Sequence, residues 1–335
     1  MYRRMRLATA ARLQNRTLRE QQMQLSSRLH DHSCEPGLTG LTASGMVTND
    51  GLDIAWFEAG PADAELTVVF IHGYCLSSES YFDQVNHLRD HKGVRSLLID
   101  VRGHGLSTAT EPARCNVNDA ARDVLAVLEQ RCPGGNMVIV GHSLGGMIAL
   151  ALMRLAPPAV AARVRSLLLI ATSMRRFADH GAARFLRTAL ASALYYALVR
   201  LPDEVNSFRW KVASVITPVI ATFVSAIPQM ARIQFHVAMM LDTPLSSYIG
   251  YFDDLVEHSE LSAGKHLRGI PGEIVVGSMD IVTPKVQSEV IHDHWPDATL
   301  SVVEGAGHMV ILEEPEKVSA ALDRVIALAR KNEQG

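Results

Sequence analysis

Short, almost uninterrupted apolar runs recur along the chain and favour buried β-strands. After a loop at residues 36–37, residues 52–58 alternate partly between apolar and polar side chains, whereas residues 66–71 are nearly all apolar and rich in β-branched side chains. Both patterns are typical of strands. Further runs occupy residues 94–99, 137–140, 166–170, 273–276 and 300–303. Most of them lack polar alternation, which indicates strands that are covered on both faces.

Helical patterns lie between these strands. They span residues 117–130 and 145–156, and a third follows the last strand at residues 314–329. Strands that alternate with helices are typical of an α/β protein with a parallel sheet. We therefore expect a mostly parallel, doubly wound sheet.

One stretch interrupts this alternation. Residues 174–264 form an insertion of about ninety residues, where a β-α-β step needs far fewer. Helical spacing predicts a cap of several helices, and its apolar positions are Leu186, Leu190, Leu194, Tyr195, Leu198, Leu201, Met230, Ile233, Phe235, Met239 and Met240. The apolar run 212–227 is short for a membrane span and contains Pro218, so a buried helix is expected there. The predicted core is then residues 41–173 and 265–335, and residues 1–40 form an N-terminal arm.

The arm is basic. Its first thirty residues hold seven arginines and one acid, Glu20. No continuous apolar run or small-residue cleavage site marks a secretory signal, and no transmembrane span is predicted, so we expect a cytoplasmic protein. Three interpretations of the arm stay open: an exposed helix, a peripheral contact with an anionic membrane surface, and an organellar transit peptide, which the low serine content disfavours.

Overall composition narrows the class of protein further. The 335 residues are 48% hydrophobic and 20% charged, with a net charge of -3, which fits a globular enzyme and not a nucleic-acid-binding protein. The four cysteines are irregularly spaced, so neither a zinc site nor a disulfide framework is expected. His292 and His294 lack a nearby third ligand in the sequence, and no metal is predicted.

Ser143 lies in a Gly-x-Ser-x-Gly sequence, between Gly141 and Gly145. The apolar run before it predicts a strand, and the residues after it predict a helix. A tight turn from strand to helix exposes a serine hydroxyl to a base and to free N–H groups, and flanking glycines avoid Cβ collisions in such a turn. The same segment lacks the glycine and lysine pattern of a phosphate-binding loop. A nucleotide-dependent enzyme is therefore disfavoured, and no cofactor is expected.

Polar residues follow four of the predicted strands. The segment from His72 to Cys75 follows the strand at residues 66–71, and Ser143, Asp280 and His308 each follow a later strand. Open α/β sheets place their sites at the carboxyl ends of strands. In this arrangement the chain resembles the α/β-hydrolase fold family over about residues 50–330, excluding the insertion, and the order of serine, acid and histidine agrees with that family.

The resemblance assigns roles to these residues. Ser143 is expected to attack a carbonyl carbon, His308 to act as general base and then acid, and Asp280 to orient the imidazole and stabilise its charged form. The backbone N–H groups of Tyr74 and Leu144 are expected to form the oxyanion hole. Neighbouring residues are expected at the substrate pocket, and these are His72, Gly73, Cys75, His142 and Met309. Cys75 is interpreted there as a small apolar wall residue, because no elbow surrounds it.

A serine hydrolase of carboxylesterase or lipase type follows from the resemblance. It would cleave an ester or thioester of a small or lipid-like molecule, and the apolar insertion favours a hydrophobic acyl group. An acyltransferase, a carbon-carbon bond hydrolase and a perhydrolase would use the same three residues and stay open. Dehalogenases and epoxide hydrolases are disfavoured because they need an aspartate in place of Ser143. The alternative from another class of protein is a ligand-binding protein without catalysis. Such a protein would not need Ser143, Asp280 and His308 together, which disfavours it.

Overall fold

A sheet of eight strands forms the centre of the computed structural model, which describes residues 36–176 and 230–331. The strands are β1 Ala43–Asn49, β2 Leu52–Ala59, β3 Leu66–Ile71, β4 Val94–Ile99, β5 Asn136–His142, β6 Val164–Ile170, β7 Gly272–Gly277 and β8 Ala298–Val303. Their order across the sheet is β1-β2-β4-β3-β5-β6-β7-β8. The pairs β1–β2 and β2–β4 are antiparallel and all the other pairs are parallel, so the predicted mostly parallel sheet is confirmed.

Helices connect the strands. They are α1 Phe82–Leu88, α2 Val117–Arg131, α3 Leu144–Leu155, α4 Pro158–Ala161, α5 Met230–Asp242, α6 Leu245–Glu257, α7 Lys285–His294, α8 Val310–Glu313 and α9 Pro315–Lys331. Short 3-10 turns occupy Ser78–Tyr81, Pro112–Arg114 and Leu261–His266. The helices predicted from sequence at residues 117–130, 145–156 and 314–329 correspond to α2, α3 and α9.

Apolar side chains cover the sheet on both faces. Val69 and Ile71 of β3 point into a cluster that also contains residues of α2 and α3. The alternate residues Val68 and Phe70 point into a second cluster, which contains residues of α1 and α9. All six residues of β3 are buried. The continuous apolar pattern of this strand therefore has the expected cause, a sheet packed between two layers of helices.

The edge strand β1 is missing from the pattern of apolar runs. Only Val47 is buried along its seven residues, and an edge strand with one partner needs little apolar surface. The turn that follows does have a sequence signal. Asp50 and Gly51 take positive φ angles of 49° and 73°, and an Asp-Gly pair is typical of the two-residue turn of a β-hairpin.

Two helices of the insertion lie between β6 and β7. Helices α5 and α6 agree with the predicted helical cap, whereas the predicted helical positions from Leu186 to Leu201 and the run 212–227 lie outside the described residues. Helix α6 is attached to the core, because Ser247 Oγ donates to the carbonyl of Gly103 over 2.6 Å and the N–H of Val117 donates to Asp254 Oδ2 over 2.7 Å. Among the described helices, none has the length and apolar character that crossing a membrane requires.

The end of the predicted basic arm contacts the core. The N–H of Leu38 donates to Glu79 Oε2 over 2.9 Å, and the Arg89 guanidinium donates to the hydroxyl of Thr39 over 2.7 Å. Residues 1–35, which hold the seven arginines, lie outside the described residues.

Candidate active site

Ser143 lies in the tight turn between β5 and α3. Its φ of 53° and ψ of -119° are rare for a residue with a side chain, and such strain persists only where the surroundings hold it. Here the N–H of Ser143 donates to the carbonyl of Ile170 over 2.9 Å, and its own carbonyl accepts from Thr172 Oγ1 over 2.6 Å. A Cβ at Gly141 would lie 2.5 Å from the carbonyl oxygen of Gly145. The glycine spacing seen in the sequence is therefore a steric requirement of this turn.

The structure brings Ser143, His308 and Asp280 together. Nε2 of His308 lies 3.0 Å from Ser143 Oγ, and its Nδ1 lies 2.9 Å from Asp280 Oδ2. A carboxylate only accepts hydrogen bonds, so the proton of a neutral His308 is on Nδ1. Nε2 is then free to accept from the hydroxyl of Ser143. A histidine base oriented in this way is able to remove a proton from the serine.

Asp280 is kept ionised by its partners. Burial is the largest single influence and would raise its pKa, but the charge of His308 and hydrogen bonds from His308 and Thr283 together lower the pKa below its usual value. Oδ1 accepts from the N–H groups of Val282 and Thr283, each over 2.8 Å, and Oδ2 also accepts from Thr283 Oγ1 over 2.8 Å. An ionised Asp280 stabilises positive charge on His308.

The loop around His308 is held by two further side chains. Glu313 accepts from the N–H groups of Gly307, over 2.5 Å, and Met309, over 3.0 Å. Nε2–H of His142 donates to the carbonyl of His308 over 3.0 Å, and burial lowers the pKa of His142 to about 3, so this ring is uncharged at neutral pH. The ring of His142 is therefore hydrogen-bonded to the backbone of His308.

The two predicted oxyanion donors belong to two segments that meet at Ser143. Leu144 is the first residue of α3, and the first N–H groups of a helix have no acceptor within the helix. Tyr74 follows β3 by way of Gly73, where a Cβ would lie 2.8 Å from His142 Nδ1 and 3.2 Å from Ser143 Cβ. The lack of a side chain at Gly73 thus allows this segment to lie close to the serine.

Two buried imidazoles fasten the Tyr74 segment to the loop after β4. His72 donates from Nδ1 to the carbonyl of Gly73 over 2.8 Å and accepts at Nε2 from the N–H of Val101 over 2.9 Å. His104 accepts at Nε2 from the N–H of Cys75 over 3.1 Å. Burial lowers the pKa of His72 to about 4 and that of His104 to about 3. Both rings are therefore neutral at pH 7 and able to accept.

Cys75 and Met309, the other predicted pocket residues, are both buried. Cys75 is buried with a φ of 59°, and burial raises the pKa of its thiol, as expected of a wall residue. Met309 is buried in an apolar cluster with Met239 of α5. Which of these side chains touches a substrate stays a prediction.

Thr283, Glu313 and His104 make hydrogen bonds around the site that the sequence analysis does not assign. Thr283 alone carries a recognisable signal, since a side chain that bonds the backbone two or three residues ahead is a common property of aspartate. The contact of His104 depends on how separate loops meet, whereas Glu313 bonds the N–H groups of residues only four and six positions before it.

Metal-ligating side chains gather at one place in the described residues, away from the strand-end loops that hold Ser143. His87, His91 and Asp323, from the α1 and α9 region, have donor atoms within 4.8 Å of one another. His87 Nε2 is hydrogen-bonded to Asp323 Oδ1 over 2.8 Å, and His91 Nε2 lies 3.3 Å from the same oxygen. His292 and His294 are in the last turn of α7.

Comparison with known proteins gives several relatives that align over most of the chain. A proline iminopeptidase, PfmaB, from Pestalotiopsis fici is 26% identical over 82% of this chain and 95% of its own length. A pimeloyl-[acyl-carrier protein] methyl ester esterase from Pectobacterium atrosepticum is 23% identical over 82% of this chain and 98% of its own length. A solved structure of a thermophilic esterase from Thermogutta terrifontis aligns with a TM-score of 0.68 and 19% identity, covering 86% of this chain and 99% of that one.

The family model of the α/β-hydrolase fold matches residues 67–315. That interval runs from β3 to the start of α9, so it contains the Ser143 turn and the loops of Asp280 and His308. The proline iminopeptidase and the methyl ester esterase are both hydrolases, and the match to the family model shows that this chain belongs to the α/β-hydrolase fold family.

Proposed function

We propose that this protein is a serine hydrolase that cleaves a carboxylic ester or thioester with a hydrophobic acyl group. The observation that supports this most is the continuous hydrogen-bonded chain from Ser143 through His308 to Asp280, with links of 3.0 Å and 2.9 Å. The chain begins at a serine in the strained turn that exposes nucleophiles in this fold.

In the first half of the proposed reaction, Ser143 Oγ bonds to the carbonyl carbon while its proton moves to His308 Nε2. The carbonyl oxygen gains negative charge and accepts from the N–H groups of Tyr74 and Leu144. When the bond to the leaving group breaks, His308 returns that proton to the leaving oxygen or sulfur. Asp280 stabilises the imidazolium while it exists, and the acyl group is left on Ser143.

In the second half, water occupies the place of the leaving group. His308 takes one of its protons as the water oxygen bonds to the acyl carbon, and the tetrahedral oxyanion uses the same two N–H groups. Cleavage of the bond to Ser143 Oγ releases the acid, and His308 gives the proton back to the serine. The cycle is closed without a cofactor.

An ester is favoured over the N-terminal amide that an iminopeptidase cleaves. A substrate with a cationic amine needs a carboxylate partner in the site. Among the described residues next to His308, Asp280 is occupied by His308 and Thr283, and Glu313 by the N–H groups of Gly307 and Met309. The apolar cluster that includes Met239 and Met309 supports a hydrophobic acyl group.

The decisive experiment compares turnover with covalent labelling. The purified protein should hydrolyse p-nitrophenyl acyl esters, and a fluorophosphonate should label Ser143. Ser143→Ala should lose both, with kcat reduced by at least about 1,000-fold. Ser288→Ala is the matched control, because the Ser288 hydroxyl is buried and has no hydrogen-bond partner among the described residues. Equal activity of Ser143→Ala and the parent would refute the mechanism, and faster cleavage of proline p-nitroanilide than of any ester would refute the substrate class.

A further inference from the structure

His236 is a buried imidazole whose Nδ1 has no hydrogen-bond partner. It lies in α5 of the insertion and is 4% exposed, and Nδ1 bonds to nothing among the described residues. A buried polar atom without a partner destabilises a fold. Native proteins contain few of them, and each one needs an explanation.

The position of α5 brings His236 to the loop that carries His308. One turn before His236, the guanidinium of Arg232 donates to the carbonyl of Leu312 over 3.3 Å and pairs with Asp83 of α1. About one turn after it, Met239 packs in the same apolar cluster as Met309. These two contacts fix the face of α5 that contains His236 against the residues that directly follow His308.

The electrostatics of the ring agree with that position. Burial, and after it the charge of His308, lowers the pKa of His236 to about 4, so the ring is uncharged at neutral pH. His236 also acts on His142, whose pKa it lowers. The rings of His142 and His308 lie with their centroids 5.2 Å apart, and His236 is the imidazole of the insertion that interacts electrostatically with both.

A neutral imidazole suits a particular class of ligand. It offers one N–H donor and one lone-pair acceptor, so its natural partner is an uncharged group such as a hydroxyl or an amide. A carboxylate on the ligand would favour the protonated ring, which burial and His308 both oppose. On the same face of α5, Met239 is buried about one turn after His236, and the charge of Arg232 is already paired with Asp83.

We propose that His236 is a substrate-binding residue that hydrogen-bonds an uncharged hydroxyl or amide group near the carbonyl attacked by Ser143. This inference rests on the proposed function and narrows it, because it adds one polar group to an otherwise hydrophobic ester. When substrate binds, the unpaired Nδ1 gains its partner. An ester without the polar group leaves Nδ1 unpaired and is a poorer substrate.

Matched esters test this directly. We expect the parent to show about tenfold higher kcat/KM for p-nitrophenyl 3-hydroxybutyrate or the p-nitrophenyl ester of N-acetylglycine than for p-nitrophenyl butyrate, each corrected for its uncatalysed rate. His236→Leu should abolish that preference. His236→Asn, whose amide lies near the position of Nδ1, should restore part of it. Gln234→Leu is the control, since Gln234 is on the other side of α5.

A second measurement needs neither turnover nor a stable Leu variant. The sample is Ser143→Ala protein labelled with ¹⁵N-histidine. Comparison with a second sample that also carries His236→Asn identifies the His236 signals. Methyl 3-hydroxybutyrate should then shift the Nδ1 resonance of His236, and methyl butyrate should not. An unchanged substrate ratio in His236→Leu, or equal effects of the two methyl esters, would overturn the inference. If the parent neither cleaves esters nor takes the fluorophosphonate label, the proposed function is refuted instead. The two failures are therefore distinguishable.

Discussion

The backbone N–H of Cys75 donates to Nε2 of His104 over 3.1 Å, which ties the end of β3 to the loop after β4. His72 makes the reciprocal link, since its Nε2 accepts from the N–H of Val101 over 2.9 Å. Tyr74, the proposed oxyanion donor, lies between the two links. We therefore expect the neutral rings of His72 and His104, which bond only backbone groups, to position the backbone N–H of Tyr74.

Loss of the His104 acceptor should therefore slow catalysis. His104→Leu leaves the N–H of Cys75 without its partner, and we expect kcat to fall by about tenfold to a hundredfold, less than the loss of a whole oxyanion donor. KM should change by less than about threefold, because ground-state binding does not use this link. His104→Gln, which offers an acceptor at a similar distance, should recover most of the rate. Steady-state kinetics with p-nitrophenyl butyrate measures both constants, and a change confined to KM would contradict the positioning role.

Acid should destabilise the fold through the same buried rings. Burial lowers the pKa values of His72, His104 and His142 to about 4, 3 and 3, whereas an unfolded histidine titrates near 6.5. The unfolded chain then binds more protons, so the contribution to stability is complete above pH 6.5 and is lost as the pH falls toward 4 and 3. Each ring adds a slope of up to about 1.4 kcal/mol per pH unit. Urea unfolding between pH 7.5 and 4.5 measures the slope, which should be shallower in His104→Gln.

His258 should have the opposite pH dependence. Burial would lower its pKa, but hydrogen bonds and charges from Asp254 and Glu260 raise it to about 9. Its Nε2 lies 2.7 Å from Glu260 Oε1, and Arg154 binds the same carboxylate over 2.8 Å. Because the folded pKa is raised, this contribution is complete below pH 6.5 and is lost as the pH rises through 9.

The comparison of His258→Gln with the parent measures this contribution. At pH 6 the variant should be less stable by about 2 kcal/mol, the size of a hydrogen bond to a charged group, and the difference should shrink above pH 10. His266→Gln is the control, since His266 is exposed. A difference in the free energy of unfolding that stays constant from pH 6 to pH 10 would show that His258 acts only by packing.

The features that sequence predicts are those encoded by neighbouring residues. The apolar runs predict seven of the eight strands, β2 to β8, and the glycines around Ser143 predict its turn, because both depend on local sterics and burial. Asp280 and His308 are recognisable because parallel strands bring their carboxyl ends to one edge of the sheet. The chain order of these residues then adds the family resemblance.

What sequence does not predict depends on contacts between distant segments. His104 accepts from Cys75 because β4 lies beside β3, and that strand order is not visible in a pattern of apolar residues. For His236, helical spacing predicts α5 but does not tell which face of the helix meets the core.

Steric limits at the turn give a sharp contrast between two glycines. At Gly145 a Cβ would collide with the backbone carbonyls of Ile71 and His72, whereas at Gly134 nothing lies within 4 Å. Gly145→Ala should therefore separate β3 from α3, lower the melting temperature by many degrees and abolish fluorophosphonate labelling. Gly134→Ala should be neutral or slightly stabilising, by less than about 1 kcal/mol. Thermal unfolding and labelling of both variants test the pair, and full labelling of Gly145→Ala would contradict the close approach.

The ion pair of Arg102 and Asp123 should dominate the stability of the loop after β4. Arg102 is 1% exposed, and two of its nitrogens donate to the Asp123 oxygens over 2.5 and 2.8 Å. Asp123→Asn keeps the shape but leaves the buried cation with the more distant carboxylate of Asp119, 3.5 Å away, and we expect a loss of about 3–5 kcal/mol in urea unfolding. Arg102→Lys should not restore the bidentate contact.

The exposed pair of Arg122 and Asp119, with a separation of 2.6 Å, is the comparison. Because solvent screens it, Arg122→Met should change the free energy of unfolding by less than about 1 kcal/mol. Replacing both Arg102 and Asp123 by Met and Leu should cost less than Asp123→Asn alone, because no charge is then left unpaired. If the double variant is the least stable of the set, the loop depends on this pair for its geometry and not only for charge compensation.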